Sequence, residues 1–174
     1  MASSNRKFQQ RRLEAARGYL ILGMPDQALR ELQTISNPER CAFEYHLLTA
    51  ESRRERLEHG HAVRAFIKAL DERPDNLQAL LGLAWSYKRL DHLDLAIETL
   101  EMAQKAHPDE PLVIYNLSCY YSLARNKPKA IECLGRALRM EPALGRLISE
   151  ETDFDSLRED PDFQFVAHSV VDFE

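Results

Sequence analysis

Residues 77–110 read LQALLGLAWSYKRLDHLDLAIETLEMAQKAHPDE, and this stretch decides the fold. Its first half places Leu80, Leu83, Ala84 and Tyr87 at the i, i+3, i+4 and i+7 positions that share one face of a helix. Its second half repeats that spacing after a short polar interruption. The stretch therefore predicts two amphipathic helices joined by a turn.

The same pattern recurs every 34 residues along the chain. One column of the repeat holds Ala28, Ala62, Ala96 and Ala130. The last three units end at Pro74, Pro108 and Pro142. Proline lacks a backbone donor, so it stops the second helix of each unit. A fixed period of this length indicates stacked supersecondary units, which provide an extended binding surface and bring no catalytic chemistry by themselves.

The unit resembles the tetratricopeptide repeat (TPR), in which helix A carries a Trp-Leu-Gly-Tyr pattern and helix B an Ala-Phe-Ala-Pro pattern. The match is close except in the first unit, where Arg12 stands in the Trp or Leu column. The resemblance spans residues 9–144 and implies the repeats 9–42, 43–76, 77–110 and 111–144. It also implies an all-α fold, an α-solenoid whose helix-turn-helix hairpins stack into a right-handed superhelix.

The segments outside the repeats are expected to differ from each other. Residues 1–8 are predicted to be a flexible N-terminus. Residues 145–174 are acidic and are predicted to form C-terminal capping helices, because an open solenoid needs ends with one polar face. The alternative for this tail is a docking peptide for another molecule. Its apolar anchors are Phe154, Leu157, Phe163, Val166 and Val170.

Composition favours a cytoplasmic protein. The chain is 44% hydrophobic and 29% charged, which is typical of globular proteins. Residues 1–12 lack the apolar core of a secretory signal, and no apolar run is long enough to span a bilayer. Cys41, Cys119 and Cys133 are odd in number and widely spaced, so free thiols in a reducing compartment fit better than disulfides.

Motifs that carry chemistry are scarce. His59-Gly60-His61 lacks a third fixed metal ligand, and the sequence has no glycine-rich phosphate loop. Cys119 has no partner His or Asp in the register that would suggest a catalytic pair. The net charge of −5 and the lack of a long basic stripe argue against nucleic-acid binding. We therefore predict no enzyme, no metal and no cofactor.

The resemblance also implies a binding face, because certain helix A positions of TPR arrays line a concave groove. Carried onto this sequence, the peptide-binding groove consists of Glu51, Arg54, Gln78, Leu81, Trp85, Lys88, Arg89, Tyr115, Cys119 and Ser122. The same positions in the first, second and fourth repeats add Arg17, Leu20, Ile21, Leu47, Glu55, Leu112 and Leu123. Trp85 and Tyr115 would anchor an apolar group, and the basic side chains would contact acidic groups. The alternative is that both rings only pack between adjacent A helices.

These observations predict a noncatalytic protein–protein interaction module or adaptor. Its partner would be a protein or peptide with an apolar anchor and acidic character. Two alternatives are a small secretion-type chaperone for a client protein and a self-assembling structural protein. Residues 1–17 are basic and the chain from Glu141 onward is acidic, which would permit weak head-to-tail association of copies.

Overall fold

The computed structural model of the protein describes residues 2–168, with side chains from Asn5 onward. Within this range the regular elements are helices, and no strand occurs. The chain forms two compact units, Met1–His92 and Leu93–Glu174. No helix in the described range combines the length and the apolar character needed to cross a membrane.

The first unit consists of helical hairpins. Its helices are α1 (Ala2–Ile21), α2 (Pro25–Gln33), α3 (Ala42–Glu55), α4 (His59–Glu72) and α5 (Leu77–Arg89). α1 packs against α2 and α3 packs against α4, while α3 also contacts both α1 and α5. The A helices α1, α3 and α5 therefore follow one another along one side of this unit.

The structure differs from the expectation for residues 1–8. α1 begins at Ala2, so residues 2–8 form the first turns of that helix instead of a separate segment. Gln9 is buried, and its Nε2 donates to the carbonyl of Asn37 at 2.6 Å. Arg12 pairs with Glu31 of α2 at 2.7 Å. These contacts hold the N-terminal half of α1 in place, and helix A of the first repeat consequently starts upstream of residue 9.

The turn after each A helix has the same backbone form. One residue in each turn has a positive φ, with values of 67°, 61°, 59° and 56° at Gly23, Leu57, Asp91 and Arg125. These positions are spaced by the 34-residue period. In the first turn the amide of Met24 donates to the carbonyl of Tyr19 at 2.9 Å, which is the long bond of a Schellman motif. A glycine occupies the first of these positions, where positive φ has no steric cost.

Small residues allow the helices of the first unit to approach closely. Ala50 of α3 and Ala62 of α4 are fully buried in one apolar cluster. The ring of Phe66 lies over Gly82 of α5, and a Cβ at Gly82 would come within 2.2 Å of the Phe66 Cζ. No real Cβ is found that close to another heavy atom. Gly82 is therefore what permits α5 to lie against the Phe66 ring of α4.

The second unit contains the remaining repeats and the C-terminal segment. Its helices are α6 (Leu93–Ala106), α7 (Pro111–Leu123), α8 (Lys127–Met140) and α9 (Pro161–His168). Two 3₁₀ helices, Pro142–Leu147 and Thr152–Leu157, lie between α8 and α9. α7 packs against α6 and α8.

The C-terminal cap, which we define as residues 142–168, covers α7 and α8. The second 3₁₀ helix packs on α7, whereas the first 3₁₀ helix and α9 pack on α8. Phe154, Leu157 and Phe163 are buried as predicted. Lys127 at the start of α8 bridges the cap through Asp160 at 2.6 Å and Asp162 at 2.8 Å. This packing is what a cap over α7 and α8 requires, and the predicted anchor Val170 lies outside the described residues.

Candidate functional site

An open groove of about 790 Å³ lies in the first unit. Side chains of α1, α3 and α5 line it, together with Arg73 at the end of α4. Of the predicted groove residues, the structure places Glu51, Arg54 and Gln78 together in this lining. The lining also includes the helix A residues Arg17, Leu20, Ile21, Leu47 and Glu55.

A buried carboxylate lies in the groove wall. Glu51 is only 9% exposed, and its carboxylate contacts Arg54 at 2.8 Å. The amide of Gln78 donates to the same carboxylate at 3.4 Å. Burial raises the pKa of Glu51, and the Arg54 charge and the Gln78 hydrogen bond only partly oppose this effect. Glu51 is therefore engaged within the protein and serves to connect α3 with α5.

The three guanidinium groups in the lining differ in how far they are neutralised. Arg17 pairs with Glu44, and Arg54 contacts Glu55 at 3.1 Å in addition to Glu51. Arg73 instead lies over the ring of Phe43, with its Cζ 4.1 Å from the ring centroid. In the range that the structure describes, no carboxylate pairs with Arg73. Arg73 is consequently the lining cation best able to meet an acidic ligand group.

Trp85 is half-buried and lies next to the groove, outside the lining residues. The Arg54 and Arg89 guanidinium carbons are 5.6 and 5.8 Å from its ring centroid. The imidazole of His59 meets the indole edge to face at 5.2 Å between centroids. Burial and the Arg89 charge lower the pKa of His59, so the imidazole is neutral at pH 7. Arg54 thus connects the tryptophan to the groove.

Leu81, Lys88 and Arg89 belong to α5 and stand outside the lining residues of the groove. Leu81 and Lys88 are half-buried, and Arg89 is exposed. The Arg89 guanidinium contacts the Trp85 ring. The structure therefore brings Arg89 and Trp85 together beside the groove.

Three predicted groove residues are not accessible in the structure. Tyr115, Cys119 and Ser122 are at most 2% exposed. They share one face of α7, where the 3₁₀ helix Thr152–Leu157 packs. The prediction that Tyr115 offers an open aromatic anchor is wrong, because the C-terminal cap covers that face.

Five lining residues were not predicted from the sequence, namely Gln10, Phe43, Glu44, Leu48 and Arg73. Phe43 and Arg73 stand near the two ends of the repeat 43–76, whereas the helix A positions that the resemblance implies lie between them. The aromatic residue at the start of the repeat and the basic residue before Pro74 are the only sequence signals of this pair.

Comparisons with known proteins agree with this architecture. A family model described as tetratricopeptide repeat matches residues 58–115. A crystal structure of MamA protein superposes with a TM-score of 0.77 at 17% identity, over 94% of this chain and 92% of that chain. MamA 41-end from Desulfovibrio magneticus RS-1 gives a TM-score of 0.72 at 22% identity, over 91% of this chain and 93% of that chain.

At these identities the structural matches show the fold, and the predicted all-α solenoid of TPR hairpins is confirmed. A comparison of the sequence with curated proteins finds no significant match.

Proposed function

We propose that this chain, whose residues 58–115 match the tetratricopeptide-repeat family model, acts as a noncatalytic adaptor that binds a peptide or protein segment in the groove between α1, α3 and α5. The TPR fold supports a role in protein–protein interaction. The observation that carries the finer proposal is an open groove with an apolar wall and one guanidinium that has no carboxylate partner among the described residues.

The apolar wall provides the anchor contact for the ligand. Leu20 and Ile21 of α1 and Leu47 of α3 line the groove, and Ile21 is 80% exposed. Covering such a side chain contributes roughly 25 cal/mol for each Å² removed from water. The proposed ligand therefore presents an apolar side chain to this wall.

Arg73 provides the charge complement. Its guanidinium is positioned by the Phe43 ring, while Arg17 and Arg54 are already paired with lining carboxylates. A ligand carboxylate near Arg73 would act mainly on association rate and salt dependence, because Arg73 is exposed. We thus retain an acidic group as the second requirement for the ligand, and assign its contact to Arg73.

A preformed wall of helices lowers the cost of binding. The groove side chains stand on α1, α3 and α5, whose mutual packing is fixed by buried clusters behind them. Little of the receptor backbone has to order when the ligand binds. The three free cysteines of the described chain support placing the adaptor in the cytoplasm.

The test selects ligands and then removes each contact in turn. A displayed peptide library is panned against the full-length protein, and the strongest binder is titrated by calorimetry. Ile21→Ser should weaken that binder about tenfold or more, since it removes the apolar contact. Arg73→Ala should weaken it and flatten the dependence of Kd on salt.

Matched controls come from the same unit. Leu57→Ser removes an exposed apolar side chain that does not line the groove, and Arg64→Ala removes an exposed arginine of α4. Both should leave Kd unchanged. If Ile21→Ser and Arg73→Ala also leave Kd unchanged while circular dichroism shows intact helices, the groove is not the binding site.

A further inference from the structure

Three groups that can bind a cation meet beneath the C-terminal cap. Cys119 belongs to α7, whereas Glu151 and Asp153 lie at the start of the second 3₁₀ helix. Their ligand atoms all lie within 4.8 Å of one another. Cys119 is 1% exposed and Asp153 is 7% exposed, and Glu151 is half-buried.

The backbone explains how the two carboxylates come together. Glu151 caps the 3₁₀ helix, and its Oε1 accepts a hydrogen bond from the amide of Asp153 at 3.2 Å. Arg158 holds the preceding loop by donating to the carbonyls of Ile148 and Glu151. Arg158 also pairs with Asp155 at 2.8 Å, on the other side of this helix turn. The carboxylates of residues 151 and 153 are thereby held close to α7.

A second observation points to a ligand at this position. The hydroxyl oxygen of Tyr115 is buried and makes no hydrogen bond within the described part of the chain, although Tyr115 is only 2% exposed. A buried hydroxyl without a partner is costly. Burial raises the pKa of Tyr115, and the charges of Cys119, Glu151 and Asp153 raise it further. The hydroxyl therefore lies within the field of all three groups.

Ser122 also has a buried hydroxyl, two turns beyond Tyr115 along α7. Its Oγ is also buried without a hydrogen-bond partner among the described residues. Ser122 stands three residues after Cys119, so both project from neighbouring positions of one helix face. Two polar atoms on the covered face of α7 thus lack a protein partner.

We propose that Cys119, Glu151 and Asp153 bind a divalent transition-metal ion of the Zn²⁺ class, with Tyr115 or a metal-bound water completing the site. A thiolate with two carboxylates is a ligand set that suits Zn²⁺. A divalent cation would offset the negative charge that a thiolate and two carboxylates bring beneath the cap. A bound ion would also give the Tyr115 hydroxyl its missing partner.

The geometry requires a small contraction on binding. Zinc bonds of about 2.0–2.3 Å in a tetrahedral site place ligand atoms about 3.5 Å apart. The present spacing of up to 4.8 Å is therefore about 1 Å too wide, which side-chain rotation can close. Sequence spacing could not reveal this site, because Cys119 lies 32 and 34 residues before Glu151 and Asp153.

The test uses the full chain after treatment with a chelator, titrated with Co²⁺ and then with Zn²⁺. We expect one Co²⁺ per chain, a thiolate-to-cobalt charge-transfer absorption, and loss of that absorption when Zn²⁺ is added. Cys119→Ser should abolish the absorption. Cys133→Ser, which removes the half-buried thiol of α8, should retain it.

Two variants that each remove one carboxylate charge test the proposal even if Cys119→Ser does not fold. Glu151→Gln keeps an oxygen that can accept from the Asp153 amide but removes the charge, so Co²⁺ affinity should fall at least tenfold. Glu150→Gln removes an exposed carboxylate next to Glu151 and should leave the affinity unchanged. Absence of saturable binding, absorption that persists in Cys119→Ser, or equal affinities in wild type and Glu151→Gln would overturn the proposal.

Discussion

The ring of Phe154 meets the ring of Tyr115 edge to face, with 6.0 Å between centroids and 84° between planes. Phe154 also contacts Phe163 at 5.2 Å, which connects the 3₁₀ helix to α9. Both phenylalanine rings are buried. This aromatic group fixes the C-terminal cap to α7 and makes Phe154 central to the stability of the second unit.

Phe154→Ala should destabilise the protein by about 3–5 kcal/mol, because it deletes a fully buried ring and leaves a cavity. Phe165→Ala is the matched control, since Phe165 is 76% exposed, and its effect should stay within about 0.5 kcal/mol. Urea unfolding followed by circular dichroism measures both. Equal midpoints in the two variants would show that the cap contributes nothing to folding.

Gly82→Ala should destabilise by about 1–3 kcal/mol, since the new methyl group would overlap the Phe66 ring. Gly18→Ala in α1 is the control because nothing lies within 4 Å of its Cβ position, and alanine should stabilise that helix by up to about 1 kcal/mol. Adding Phe66→Leu to Gly82→Ala should recover part of the loss. A neutral Gly82→Ala would contradict the close packing of α4 and α5.

Leu57→Gly should stabilise the protein by about 0.5–1 kcal/mol, since leucine is strained at the positive φ of this turn and glycine is not. Leu57 is 69% exposed, so few contacts are lost. Gly23→Ala in the equivalent turn should have the opposite sign. The melting temperatures of the two variants measure these effects. A lower melting temperature for Leu57→Gly would show that the backbone at Leu57 is not strained.

Trp85 fluorescence should report the protonation of His59. The imidazole lies against the indole, and its lowered pKa moves the change in intensity to a pH below the ordinary histidine range. His59→Gln should abolish that change. His46→Gln should leave it, because His46 contacts Tyr45 and not the tryptophan. Trp85 is the single tryptophan of the chain, so the signal needs no further assignment.

Glu51 should make stability fall as pH rises. Its raised pKa means that the folded state keeps a proton that the unfolded state has already released. Relative to Glu51→Gln, the wild type should therefore lose stability from about pH 4.3, the ordinary glutamate value, up through the raised pKa. Urea midpoints of both proteins across this range give the sign. A difference that does not change with pH would mean that the pKa of Glu51 is not raised.

The helical hairpins were predictable because their cause is local. Each repeat places apolar residues at helical spacing, and helices begin at Ala42, Leu77 and Pro111, at or next to the predicted repeat starts. The Schellman turns were not visible in the sequence, because leucine, aspartate and arginine occupy three of the four positive-φ positions. Tertiary packing of the hairpins imposes that conformation against residue preference.

The groove residues were predictable on α3 and α5, whose groove face is open, and not on α7, which the C-terminal cap covers. Glu51, Arg54 and Gln78 line the groove, as the helix A positions indicated. Tyr115 and Cys119 occupy similar positions on α7 but are buried by the cap, whose contacts join residues more than 30 positions apart. The repeat period describes each unit by itself. It does not indicate that the C-terminal cap covers α7.

The absent side chain of Gly82 also bears on what the groove can recognise. Because the Phe66 ring lies over this glycine, α5 comes close to α4 and carries Gln78 into the groove wall. The width of the groove therefore depends on Phe66 and Gly82, which lie behind the groove wall and do not touch the ligand. Replacing Phe66 and Gly82 by another complementary pair would change the width of the groove. The choice of partner would then change although no residue that contacts the ligand is altered.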